Sequence, residues 1–420
     1  MVAHTLEWNR TEAGRSVWVT LSIFFTAILL HQSNVIFGVN LSFADFFSIF
    51  ILVFLIWNKR LLVPMTPLVF FIAISFMVLV TAAFYIPIKF MHEPAPARIV
   101  SDYIKLLAIF FYFIIGYNLS QINYLKETIR WYSYFGMLIG IVGVWLTFLN
   151  IPLFTDILYF AETRFRGLMI DPNYFSVLQI TAMVYFTRME SIKTRYKLLA
   201  AILTLLSVLV SGSKTGIITL LSYSLIRLVE YLFLKQKKLN VLVFQVFFIV
   251  VLALLAPWAM LLLETIFSGI AAKIPSFGRV YYLLTDFGSA VSEGGSGREA
   301  TWKAALQVIQ LSPLIGVGIG TYTSLAWQMF HYDNVAHNTF LQLTAEWGIP
   351  LAVLFFIYVF FILGKATQSK MNNEINLILR DMIIILLIGS LAISLNNARV
   401  LWLFLGAIVF SLKDKNAVTK

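Results

Sequence analysis

The chain has 420 residues, of which 60% are hydrophobic, 16% aromatic and 12% charged, with no cysteine and a formal net charge of +11. That composition leaves too little polar surface for a water-soluble globule and points to a polytopic membrane protein. The lack of cysteine excludes disulfides, thiolate metal sites and a cysteine nucleophile, so any chemistry falls to His, Arg, Lys, Asp or Glu.

Apolar runs long enough to cross a bilayer as helices lie near 17–35, 42–57, 67–86, 103–119, 131–149, 173–187, 197–211, 215–234, 240–263, 348–364, 380–396 and 399–412. They are continuous and lack the inside/outside alternation of membrane strands. The expected fold class is therefore all-α, a helical bundle with about twelve spans. Residues 1–263 hold spans one to nine, 264–337 a large external loop, and 338–420 the last three spans. The run from Val17 to Leu30 lacks a small-residue cleavage site and is followed by further spans, so it reads as a span and not as a cleaved signal.

Basic residues fall on alternate connections: Lys59 and Arg60, Lys126 and Arg130, Arg188 with Lys193, Lys235 with Lys237, and Lys365 with Arg380 share one face with both termini. Positive charge beside spans favours the cytoplasmic side, so both termini are expected there. The net charge is mostly this topology signal and gives no reason to propose a nucleic-acid partner.

On the opposite face, "TRFRGLMIDPNYF" places Arg164 and Arg166 before Asp171, Pro172 and Asn173 at the start of a span. Asp171 suits a helix N-cap and Pro172 the first turn. Two arginines against the positive-inside bias need either an anion or a buried acidic partner. Next, "LVSGSKTGII" holds Lys214 at the start of a span. It is not a nucleotide-binding P-loop, because Ser213 separates Gly212 from Lys214 and position 207 is serine. A helix start already carries unsatisfied N–H groups and positive potential. A lysine there suits a visiting anion, or else snorkels to the interface.

The large loop contains a flexible "GSAVSEGGSGRE" stretch, then "REATWKAALQVIQLSP", where Trp302, Ala305, Leu306, Val308 and Ile309 recur at helical spacing. That spacing predicts an amphipathic helix on the bundle or at the interface. Arg298 at its beginning is on the unfavourable side of the dipole unless something negative visits; a solvated arginine is the alternative, and Arg279 stands upstream. The glycines of "LIGVGIGTY" suggest a close-packed turn and lack the strand and acidic residue of a dinucleotide site. In "HYDNVAHNTFLQLTAEWGIP", His331, Asp333 and His337 lack the helical pairing of zinc motifs. His337 fits better as a proton-transfer group, or as a structural histidine with one partner. Glu346 would point about opposite His337 on an unbroken helix, which disfavours a direct dyad and suits a role at the helix end.

Taken together, "RFRGLMIDPNYF", "SGSKTG", "SGREATW" with "PLIGVGIGTY", and "AHNTFLQLTAEWGIPL" resemble the O-antigen ligase and O-antigen polymerase superfamily over about residues 160 to 365. The resemblance implies a multi-span glycosyltransferase of the bacterial inner membrane, with its active site facing the periplasm. Its donor would be a glycan on undecaprenyl pyrophosphate, used without nucleotide sugar, metal or other cofactor. It implies that His337 activates the acceptor hydroxyl. Arg166, Lys214 and Arg298 would hold the departing pyrophosphate, joined by Arg279 and Arg399, with Asp171, Asn173, Asn338 and Glu346 in support. Ligases commonly show arginine where this chain has Lys214, which keeps the charge and loses the bidentate fork. The leading expectation is a polymerase whose acceptor is another lipid-linked repeat unit, working among membrane lipids and with a chain-length regulator as possible partner. A ligase acting on lipid A core is the alternative, and a flippase for lipid-linked oligosaccharide the reading from a different class.

Overall fold

The computed structural model describes residues 17–36, 39–234, 251, 254–255, 257–258, 261–286, 298–368 and 374–417. They are predominantly helical. In chain order come α1 (Val17–Leu29), a ribbon of β1 (Asn34–Ile36) and β2 (Val39–Leu41), α2 (Phe43–Trp57), α3 (Met65–Phe90), α4 (Pro96–Gln121) and α5 (Leu125–Phe148). A second short ribbon, β3 (Tyr159–Phe160) with β4 (Arg164–Phe165), precedes α6 (Pro172–Arg188), α7 (Thr194–Val210) and α8 (Lys214–Val229). The large loop contributes α9 (Leu261–Ala271), α10 (Pro275–Thr285), α11 (Arg298–Leu311) and α12 (Tyr322–Phe330). The chain closes with α13 (Thr339–Trp347), α14 (Ile349–Gln368), α15 (Glu374–Gly389) and α16 (Arg399–Ala417).

Among the described residues five helices are long and apolar enough to cross a membrane: α3, α4, α5, α8 with its continuation to Leu232, and α14. α1, α2 and α9 are apolar but shorter. The expected run 240–263 falls largely outside the described residues. Two other runs end earlier than hydropathy suggests. α1 stops at Leu29 and gives way to the β1–β2 ribbon, and α15 stops at Gly389 and gives way to turns over 390–398. The second break has a use, since Ser390 and Ile393 offer carbonyls to Thr339 at the start of α13.

α6 is the axis of the bundle. It is buried almost all round and packs against α5, α7, α8 and α15. Gly216 of α8 comes so close to it that an added Cβ would lie 2.4 Å from Ser176 Oγ, the small-residue contact typical of membrane helices. α4 and α16 form the other tight seam, where an added Cβ at Gly406 would lie 1.9 Å from the Phe113 carbonyl oxygen.

The loop helices sit on this bundle through backbone contacts. In "GVGIG", Gly316, Gly318 and Gly320 all have positive φ, near +70 to +77°. Side chains there would strike the Glu346 carbonyl, Ala82 N and Ile99 Cα, so the turn wedges directly between α3, α4 and α13. α11 buries Ala305, Val308 and Ile309 as expected, but its buried face includes Thr301 and Ala304 while Trp302 and Leu306 stay exposed. The stripe is rotated because α13 packs on the small residues.

At the end of α6 away from the large loop, α6, α8 and α15 are bound by charge. Arg188 Nε donates to Asp381 Oδ2 at 2.6 Å, Arg380 Nη2 to Asp381 Oδ1 at 2.7 Å, and Tyr223 OH to Asp381 Oδ2 at 2.7 Å. Glu230 accepts from Arg188 and Arg380, each at 2.8 Å, and pairs with Arg227. Asp381 is 1% exposed. Removing its charge leaves Arg188, Arg227 and Arg380 sharing the Glu230 carboxylate, too little charge for three cations, so Asp381→Asn should lower stability by about 3 kcal/mol. A thermal melt of the purified membrane protein checks this; an unchanged midpoint contradicts it.

Candidate active site

The turn at "SGSKTG" is gripped from four sides. Arg164, at the start of β4, donates through Nε to the Ser211 carbonyl at 3.0 Å. Ser213 caps α8 by accepting from Gly216 N at 2.9 Å, and its hydroxyl also donates to Asn173 Oδ1 at 2.9 Å. Gly212 has φ +58° and lies against the Ser276 backbone at the start of α10, so the turn and α10 approach without an intervening side chain. Arg298, the first residue of α11, donates to Thr215 Oγ1 at 2.7 Å. Lys214 is 9% exposed at the centre.

Asn173 belongs to the same grip. Asp171 caps α6 as its sequence predicts, accepting from Asn173 N at 2.7 Å and Tyr174 N at 3.1 Å. Asn173 Oδ1 also accepts from Arg164 Nη2 at 3.2 Å. The starts of α6, α8 and α11 thus meet, and each brings the positive end of a helix dipole.

Four cations gather there. Arg164, Lys214 and Arg298 each feel repulsion from Arg279 on α10, and Lys214 and Arg164 feel it from Arg298. Burial first, then Arg279, then Arg298, bring the Arg164 guanidinium down to about 10, partly offset by Asp171. Burial also lowers Arg298, with Asp171 opposing and Arg279 adding. Both remain charged at neutral pH.

His337 stands at the edge of this cluster. Its backbone has φ +47°, a left-handed conformation that costs a non-glycine residue on the order of 1 kcal/mol or more and persists only when the surroundings fix it. The flanks do fix it. Ala336 N donates to Gln342 Oε1 at 3.1 Å, Asn338 caps α13 by accepting from Leu341 N at 3.1 Å, and Thr339 N donates to the Ser390 carbonyl at 2.8 Å. Asn338 Nδ2 reaches the Leu391 carbonyl at 3.0 Å. His337 keeps access to solvent while part of its side chain is enclosed by protein. Its surroundings still lower its pKa, chiefly by desolvation, with Asp171 raising it and Arg298 lowering it further. The ring is therefore mostly neutral at pH 7, the state a base requires.

Several residues stand elsewhere than expected. Arg166 does not join the cluster: it donates to the backbone carbonyls of Asp156, Ile157 and Ile170 and staples its own loop. Arg164, two residues before it, takes the place at the cluster. Arg399 forms a two-pronged pair with Asp45, both contacts at 2.6 Å, and Tyr112 donates to the same carboxylate. Tyr112 and Tyr174 also stand near it. Glu346 makes no dyad with His337. Burial pushes its carboxyl up to about 8, and it accepts from Gln342, the same side chain that receives Ala336 N. Gln342 links the two and carried no signal in the sequence beyond its i, i+4 spacing to Glu346. His331, Asp333 and His337 do not form a three-ligand group among the described residues.

Residues 199–356, which include Lys214, Arg279, Arg298 and His337, match the family model described as O-antigen ligase. That stretch is similar to the O-antigen ligase family and makes up a little over a third of the chain. This supports the resemblance to the O-antigen ligase and polymerase superfamily, and the apolar helices fit a membrane protein. No curated protein matches the chain. Arg164 and Asn173 lie before the matched stretch, so half of the grip on the turn comes from outside it.

The geometry separates the two arginines by experiment. Arg164→Gln should reduce turnover by about 100-fold or more if its charge serves a departing anion. Arg166→Gln should lower thermal stability while folded protein keeps its turnover; equal losses of turnover in both would refute the assignment. Because Arg298 lowers the His337 pKa and Asp171 raises it, Arg298→Gln should move the acid limb of the pH–rate profile to higher pH and Asp171→Asn to lower pH.

Proposed function

We propose that this protein is an inverting, metal-independent glycosyltransferase that polymerises a bacterial surface polysaccharide at the periplasmic face of the inner membrane. The observation that carries the reading is the convergence of Arg164, Lys214, Arg279 and Arg298 on three helix starts beside one neutral histidine. Among the described residues these four cations lie near the Asp171 carboxylate, and a cluster of that sign suits a pyrophosphate.

In the reaction, His337 removes the proton from a hydroxyl of the acceptor glycan as its oxygen attacks the donor's anomeric carbon. The bond from that carbon to the pyrophosphate oxygen breaks, and the electron pair leaves with undecaprenyl pyrophosphate. A single displacement inverts the anomeric centre. A sugar hydroxyl is a poor nucleophile without a base, and the leaving group gains negative charge where the cations already stand. Lys214 contributes a point charge, since an ammonium lacks the fork with which arginine grips phosphate. The acceptor is proposed to be a second lipid-linked repeat unit.

The family match is equally compatible with a second reading, transfer of the same donor glycan to lipid A core by the same chemistry. Purified protein offered each acceptor with the same donor separates the two: product on lipid A core alone removes the polymerase reading. In the same assay His337→Ala should lose at least about 100-fold in kcat, the usual scale for a general base. Lys214→Arg should retain substantial activity and Lys214→Ala much less. A flippase predicts instead that these variants stop translocation and leave glycan transfer intact.

A further inference from the structure

A second binding feature lies on the other side of α13. An aromatic slot of about 180 Å³ opens between α3, α4, α14 and α16. Phe70 and Phe71 of α3, Phe110 of α4, Trp347 at the end of α13, Phe355 of α14 and Trp402 of α16 line it. Phe71 stacks on Phe110 at 4.0 Å and Phe355 on Trp402 at 5.3 Å, so the walls are ring faces. Three of the four helices, α3, α4 and α14, are long and apolar enough to span a membrane, and α16 packs along α4. Leu354 lines the slot and is 54% exposed, which leaves the slot open on the outer side of α14.

The slot has a charged rim. On α4, Lys105 directly precedes the lining residue Leu106, and it pairs with Asp102 at 2.7 Å. On α13, Glu346 directly precedes the lining residue Trp347, and it feels Asp102, Lys105 and Arg98. Both walls therefore step from charge to an apolar side chain within one residue, Lys105 to Leu106 and Glu346 to Trp347, the profile of an amphiphile with a long hydrocarbon tail and an ionic head. Arg98 and Lys105 stand against Asp102, with Glu346 largely protonated at neutral pH. That net single positive charge can tether a phosphate, but it lacks the cation excess that would stabilise one as a leaving group.

We propose that this slot holds the polyprenyl chain of the lipid-linked acceptor, with its phosphate at the Arg98–Lys105 rim. The assignment rests on the polymerase reading, in which two lipid-linked substrates meet at His337. α13 sets their spacing: it runs from its N-cap Asn338, next to His337, to Trp347 in the slot, about 13 to 14 Å along its axis. An acceptor anchored at the rim lays its glycan along α13 toward the base, while the donor's pyrophosphate occupies the basic cluster. Planar isoprene units fit against ring faces, and the tail needs no polar partner in the slot.

The test uses the full chain in nanodiscs with saturating donor. The acceptor repeat unit is supplied on a long polyprenyl pyrophosphate and, separately, on a short water-soluble carrier. Leu354→Trp, at the open edge, and Ile109→Trp, within the slot, each block it; Lys105→Gln alters the rim without changing its packing. Blocking should raise KM for the long-chain acceptor by about tenfold or more, leaving kcat, donor KM and short-carrier KM near wild type, the signature of lost uniform binding. An unchanged long-chain KM, or a rise in donor KM instead, overturns the proposal. A long-chain acceptor bearing a diazirine in its tail supplies a readout independent of turnover: light should label peptides spanning 65–74 and 105–113, and excess unlabelled acceptor should compete where phosphatidylglycerol does not. Labelling elsewhere, or equal displacement by phosphatidylglycerol, defeats the slot. Should wild type form no product from either acceptor while the label still enters the slot, the glycosyltransferase reading fails and lipid binding stands.

Discussion

Like charges resist being brought together, and this fold brings four of them together with three helix starts of the same sign. Unscreened by a ligand, Arg164, Lys214, Arg279 and Arg298 repel one another. The chain holds them through neutral partners as well as charged ones. Arg164 grips a backbone carbonyl and an amide oxygen, and Arg298 grips a hydroxyl. Such partners position a cation without cancelling it. Asp171 spends its carboxylate mainly on the α6 cap, so the positive potential survives at the place where charge would develop.

The arrangement also explains why the polar turn between α7 and α8 is built from serine and glycine. Ser211, Ser213 and Thr215 each contact a different neighbour, and Gly212 lets the backbone of α10 close in. Arg279 reaches the cluster because α10 packs on this turn and on α7 and α8. A bulkier residue at 212 would separate the two segments and carry Arg279 away.

Features governed by neighbours in sequence were legible beforehand. The Asp171 cap followed by Pro172, the helix beginning at Arg298, the close-packed glycine turn and the positions of most apolar runs all follow local rules. What sequence could not supply were partners set by the tertiary fold. Arg164 and Arg166 have the same chemistry two residues apart, and only the β3–β4 ribbon decides which one faces the turn. Arg399 looked free to bind phosphate because Asp45, its partner, lies 354 positions away. On α11, hydrophobicity favoured Trp302 and Leu306, yet α13 needed the small face beside them.

The ion network at the far end of α6, α8 and α15 has a bearing on motion. These helices are fixed at one end by Asp381 and Glu230 and at the other by the contacts around Asn173, Ser213 and Ser390, about 24 Å along α6. A carrier that alternated its opening across the membrane would have to rock or slide these elements, separating buried arginines from their carboxylates in every cycle. The two anchors resist that motion and hold the groups around the Ser213 turn in place relative to one another.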